Sequence, residues 1–211
     1  MCFSATASFT ASAALTAAGI ITTSSVKNRR ELPLAAMPFI FAIQQFIEGL
    51  LWVNLSHGGN HALTYTYGFL FFALFWWPFY TPIMAFLLEK DKRIKEMIVL
   101  LWIIGLFVGI YQYVLFIQNP VAGQIINHCI FYTIPWPIRL VTATLYLSAT
   151  VGVCLLSRQK IVQLFGALLG IFAAISAYLY VNNFTSVWCF SGAILSLVLC
   201  FYFKSNKKQK F

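Results

Sequence analysis

The sequence predicts an all-α fold, a single domain of seven transmembrane helices with its N-terminus outside and its C-terminus in the cytoplasm. Three observations predict it. Hydrophobic residues make up 61% of the 211 and charged residues only 9%, with a mean hydropathy of +0.82, whereas soluble domains are ~45 to 50% apolar. Apolar runs of about 20 residues, enough to cross ~30 Å of hydrocarbon, follow one another along the chain. The basic residues gather in every second connection, which is a topology signal.

The first span, about Ala5 to Val26, has Ser4, Ser8 and Ser12 at fourfold spacing and is followed by Lys27, Arg29 and Arg30. No cleavable leader is expected, because the first positive charge comes after the apolar segment. The second span, Leu32 to Leu55, holds Gln44, Gln45 and Glu48. The third, Leu63 to Leu88, contains Trp76, Trp77, Pro78 and Pro82, so its middle should be kinked and short of backbone hydrogen bonds. Lys90, Lys92, Arg93 and Lys95 mark its end, and the fourth span runs from Lys95 to Ile117.

The longest connection, about Gln118 to Pro135, carries the turn formers Asn119, Pro120, Gly123 and Asn127 and should form a structured cap. The fifth span, Trp136 to Leu156, has Arg139 one turn in and ends at Arg158 and Lys160. The sixth, Ile161 to Val181, and the seventh, Phe184 to Phe203, are separated by only Asn182 and Asn183. One long bent segment, and hence six helices, is the competing reading. Beyond the seventh lie Lys204, Lys207, Lys208 and Lys210.

By the positive-inside rule the basic connections and the tail are cytoplasmic, and the loops after the second, fourth and sixth spans face outward. The net charge of +9 is therefore a topology signal and not a nucleic-acid-binding stripe. Small residues at fourfold spacing, Gly105 with Gly109 and Gly166 with Gly170, allow close helix contact in lipid. They suit a homo-oligomer or packing within one bundle.

Glu48 is the only acidic residue deep inside a span, since Glu31, Glu89 and Asp91 sit among Lys and Arg in short connections and Glu96 stands beside Lys95 at the very start of the fourth span. A carboxyl group in hydrocarbon is expensive and marks a working site. Gln44 and Gln45 share its helix face. At 1.5 Å per residue Glu48 lies roughly 10 Å below the outer end, within reach of outside water. It should either take a proton or find a cation, and Arg139 is the cation at comparable depth, unless it snorkels to the interface and His57, His61 or His128 takes its place. A packing role, with the polar face only tying helices together, is the competing reading.

His57, His61 and His128 all fall on the outer side, and with Cys129 or Glu48 they could supply a zinc site. Gly58 and Gly59 interrupt the helix that would align the first two, which leaves ordinary loop histidines as the alternative. Among Cys2, Cys129 and Cys189 one disulfide could form if the outside is oxidising, with three pairings open; cysteines buried as small apolar residues are the competing reading. No phosphate loop, HExxH helix or Gly-x-Ser-x-Gly elbow occurs. The last span has no Lys for a retinal Schiff base, and no Asp lies in any span, unlike the seven-helix lipid hydrolases.

Met1-Cys2-Phe3-Ser4-Ala5 with Ser8-Phe9, Pro38, Gln44-Gln45, Glu48-Gly49 and Trp52, and Trp76-Trp77-Pro78 with Pro82 resemble a family of small bacterial multi-pass membrane proteins of unknown function. The resemblance covers roughly the first 90 residues. It implies a multi-pass protein of this size in a bacterial inner membrane and brings no activity with it. It makes the first three spans the signature region, and the opening segment could fold toward Glu48 and bring Cys2 and Ser4 to it.

The resulting expectation is an outward-facing polar cavity formed by Gln44, Gln45, Glu48, Trp77 and Arg139 that binds or moves a small polar solute or a proton. Two other readings stand beside it: a lipid-acting enzyme, perhaps metal-dependent, and a non-catalytic membrane partner subunit.

Overall fold

The computed structural model describes residues 4–126, 128–134 and 139–208. Its helices long and apolar enough to cross a membrane are α1 (Ala5–Ser24), α2 (Arg29–Ser56), α3 (Ala62–Leu88), α4 (Lys92–Gln118), α5 (Arg139–Leu156), α6 (Lys160–Leu179) and α7 (Phe184–Ser205). Asn182 and Asn183 fall in a short 3-10 turn, Val181–Asn183, so α6 and α7 are separate helices. The expected start of the fifth span at Trp136 lies outside the described residues. α4 begins three residues earlier than its hydropathy suggests, because Asp91 caps it, accepting from the N–H groups of Arg93 at 2.9 Å and Ile94 at 3.2 Å.

Large apolar side chains point outward along the helices, among them Leu140, Phe201 and Phe107 at 81%, 74% and 68% exposure. Lipid is as apolar as leucine, so the helices must be held by close approach and by hydrogen bonds, each worth about 0.6–2 kcal/mol. α1 lies antiparallel against α2 in this way. Ser12 Oγ donates to the Ala42 carbonyl at 2.8 Å and Thr22 Oγ1 to that of Ala35 at 2.5 Å. A Cβ on Gly19 would sit 2.7 Å from that of Phe39, and one on Gly49 would meet the Phe9 ring at 2.7 Å. The other glycine stripes also face neighbours in the same chain: Gly105 the Pro78 carbonyl, Gly109 that of Leu74, Gly166 Cys154 and Gly170 Val151.

The expected irregularity of the third span is a π-helical stretch, Phe71–Trp76, just before Pro78. Proline has no N–H, so the wide turn leaves the Ala73 carbonyl without its helical donor. Tyr146 of α5 supplies one, its hydroxyl donating to Ala73 O at 2.6 Å. The kink thereby becomes an attachment point between α3 and α5.

The cap is a departure from pure helix. Strands β1 (Gln124–Ile126) and β2 (Cys129–Phe131) form an antiparallel hairpin with Ile125 opposite Ile130. It is seated in the bundle, because Ile130 is buried, Tyr132 stacks on Phe69 of α3 at 4.8 Å, and the Gly123 N–H donates to Thr66 Oγ1 at 3.0 Å. We call this the hairpin end and the opposite one, with Lys27, Lys90 and Arg158, the basic end.

Candidate functional site

Gln44, Gln45 and Glu48 project from one face of α2 into the protein and are all buried. Around Glu48 converge three chain segments distant in sequence. Ser186 Oγ, near the start of α7, donates to Oε1 at 2.6 Å. The Tyr132 hydroxyl, just after the hairpin, donates to the same oxygen at 3.4 Å, and Gln45 Nε2 donates to Oε2 at 3.3 Å. Gln44 turns the other way: its Oε1 accepts from Trp77 Nε1 at 2.8 Å, and that indole stacks on Phe41 at 3.9 Å. Gln45 Oε1 has no hydrogen-bond partner among the described residues.

Arg139 is not among the groups bonded to Glu48; it lines a separate cavity of about 900 Å³. This groove lies between α5 and α6, which meet closely at Cys154 with Gly166 and at Val151 with Gly170 and part toward the hairpin end. Its rim residues Thr144, Ala174 and Ala177 are exposed on the side of the bundle, while Tyr146, Trp188 and Cys189 form its buried back wall. Gln44, Gln45, Glu48 and Trp77 are not on its walls. Tyr132 joins the two regions, because it lines the groove and its hydroxyl reaches Glu48. A void of only about 30 Å³ lies beside Phe41 and Trp77, roughly one water molecule's share of space.

Ser4 caps α1, accepting from the Ala7 N–H at 3.2 Å, and is not a partner of Glu48. Cys2 lies outside the described residues. The histidines do not assemble into the expected zinc set, and no group of three His, Cys, Asp or Glu side chains suited to a metal occurs among the described residues. The local backbone explains this. His57 bonds through Nδ1 to the Val53 carbonyl of its own helix, Gly58 turns the chain with φ +65, and His128 is exposed in the hairpin turn with φ +56. Cys129 is in a disulfide, whereas Cys189 is a free buried thiol, so Cys189 is not part of the pair.

A second buried carboxylate escaped sequence reasoning because its neighbours are charged. Glu89, at the basic end, is 1% exposed. It accepts from the backbone N–H groups of Lys90 at 2.8 Å, Asp91 at 3.1 Å and Arg158 at 2.7 Å, and from the Ser157 hydroxyl at 3.3 Å. Burial pushes its pKa up, but the backbone donors and the Ser157 hydroxyl together outweigh that and hold it below the ordinary value. An ion pair between Arg158 and Asp91 at 3.0 Å lies alongside.

Tyr132 and Ser186 were also missed, since they lie 84 and 138 positions from Glu48 and no local pattern connects them. Gln112 could have been found. It is the one amide inside the apolar fourth span, Lys95 to Ile117, and it lines the groove.

The chain belongs to a family of unknown function (DUF6629), whose model matches residues 1–211. No curated protein and no solved structure matches the chain.

Proposed function

We propose that this protein is a bacterial inner-membrane protein that binds or transports a small ligand from the outer side, with the Glu48 cluster as its proton-exchanging element. Orienting the basic end to the cytoplasm puts the hairpin, Arg139 and the mouth of the groove outside. The observation that carries the reading is the position of Tyr132: one ring forms groove wall and its hydroxyl bonds to Glu48. A ligand that displaces that ring would change the donors around the carboxyl group, and a change in its proton occupancy would alter the wall.

The chemistry of the cluster supports exchange. Serine and tyrosine hydroxyls can donate or accept, and an amide offers both kinds of atom, so the same residues can surround a carboxylate or a carboxylic acid. A packing-only role is the reading to be separated, because Glu48 connects α2, the segment after the hairpin and α7. Purified protein in vesicles containing a pH-sensitive dye distinguishes them. An imposed pH gradient should drive proton movement that Glu48→Gln abolishes while the helix content and melting temperature stay close to those of the parent. Equal movement in the two proteins would leave Glu48 with packing alone.

A further inference from the structure

Gln112 projects from α4 onto the groove wall, is 2% exposed, and has no hydrogen-bond partner for either Nε2 or Oε1 among the described residues. Leaving both ends of an amide unmet in apolar surroundings is costly, and native proteins rarely do so without a ligand or water to meet them. The position calls for a partner that offers an acceptor and a donor side by side.

The groove walls are graded along the bundle. Arg139, Asn182 and Thr185 lie toward the hairpin end, and among the described residues no acidic side chain lines the groove. Gln112 stands six residues inside the end of α4 at Gln118, about 9 Å along the axis. Toward the basic end the walls become apolar, with Val151, Gly152, Leu155 and Gly170. The volume of about 900 Å³ lies near the top of the ~300–1,000 Å³ range of small-ligand sites. The opening between α5 and α6 is on the side of the bundle, the side that apolar spans turn to hydrocarbon in a membrane.

We infer that the groove takes an anionic lysophospholipid sideways from the outer leaflet. Its phosphate lies at Arg139, its ester carbonyl accepts from Gln112 Nε2, and the neighbouring glycerol hydroxyl donates to Gln112 Oε1. The single acyl chain runs between α5 and α6 toward Gly152. A diacyl phospholipid has an ester in place of that hydroxyl and leaves Oε1 unmet, and a free fatty acid has neither group below its head. This identification rests on the groove being the ligand site and not on proton exchange at Glu48.

Trp188 on the back wall gives the readout. The full chain in phosphatidylcholine nanodiscs is titrated with lysophosphatidylglycerol carrying a brominated acyl chain, whose bromines quench tryptophan on contact. Quenching should saturate, and Trp188→Phe should remove most of the saturable part. Gln112→Leu should raise the half-saturation concentration about tenfold, the loss expected for a buried polar contact. Ala174→Phe, on the exposed rim where the fold tolerates bulk, should abolish saturation. Brominated lysophosphatidylcholine and diacyl phosphatidylglycerol should each bind more weakly.

Quenching that rises linearly with lipid content, or that saturates identically in Gln112→Leu and Ala174→Phe, would overturn the assignment. So would equal affinity for the diacyl lipid. Proton movement lost in Glu48→Gln together with linear quenching would overturn the lysolipid and leave the proton reading standing; saturable quenching with no proton movement would support the lysolipid and remove the proton reading.

Discussion

Glu89 accepts three backbone N–H groups and one hydroxyl at the basic end, whereas Glu48 accepts from three side chains inside the bundle and from no backbone group among the described residues. Neither has more than a trace of accessible surface, although Glu48 lies deep in the bundle and Glu89 lies shallow at its basic end. Backbone donors are fixed by the chain and can only donate, so the ring around Glu89 suits one state, the carboxylate. It fastens the α3–α4 connection to the α5–α6 connection, and Gln159 Nε2 adds a bond to the Leu88 carbonyl at 3.3 Å. Side-chain hydroxyls and amides rotate and can reverse roles. Burial alone therefore does not separate a structural carboxylate from a working one, but the identity of its donors does.

The largest effect that sharpens this contrast is on stability. Glu89→Gln should cost about 3 kcal/mol, because an amide replaces one acceptor oxygen with a donor facing fixed N–H groups. Glu48→Gln should cost under about 1 kcal/mol, since its surroundings can turn to suit an amide. Thermal unfolding of both variants in the same detergent measures the difference, and equal losses would erase it.

Acid gives the next effect. The pKa of Glu89 is lower folded than its ordinary 4.5, so its stabilisation is complete above the unfolded value and is lost as the pH falls below about 4.5 toward the folded one. The melting temperature of the parent should drop in that window relative to Glu89→Gln. Parallel curves for the two proteins would contradict the assignment.

Single donors to the α2 face should matter less. Ser186→Ala removes the shortest bond to Glu48 and should cost about 1 kcal/mol. Trp77→Phe, which strips Gln44 Oε1 of its donor, should cost a similar ~1 kcal/mol beyond the lost ring area. Tyr132→Phe removes a bond of 3.4 Å and should change stability by only a few tenths of a kcal/mol. Its expected consequence is altered proton movement at nearly unchanged melting temperature.

The helices themselves were legible because a membrane span is a long local signal, and their observed ends fall within a few residues of those expected from hydropathy. Spacing also put Gln44, Gln45 and Glu48 on one face, and the structure buries all three. What local patterns could not carry were the partners brought from afar, Ser186 and Tyr132. Nor could they give the hairpin, whose strands are three residues each. Glu48 is met by Gln45, Tyr132 and Ser186, whereas Arg139 lines a groove whose walls do not include Glu48, so the expected single cavity is a packed carboxyl cluster and a separate groove. Glu89 was hidden by composition: surrounded by Lys and Arg it reads as a solvated loop residue, and only the fold shows its backbone donors.

Proton movement per folded molecule, measured in vesicles for the parent, Glu48→Gln and Glu89→Gln after correction for the amount of folded protein, compares the two carboxylates directly. The account predicts loss in Glu48→Gln and parental rates in the Glu89→Gln molecules that remain folded. Parental rates in Glu48→Gln, or equal loss in both, would contradict it.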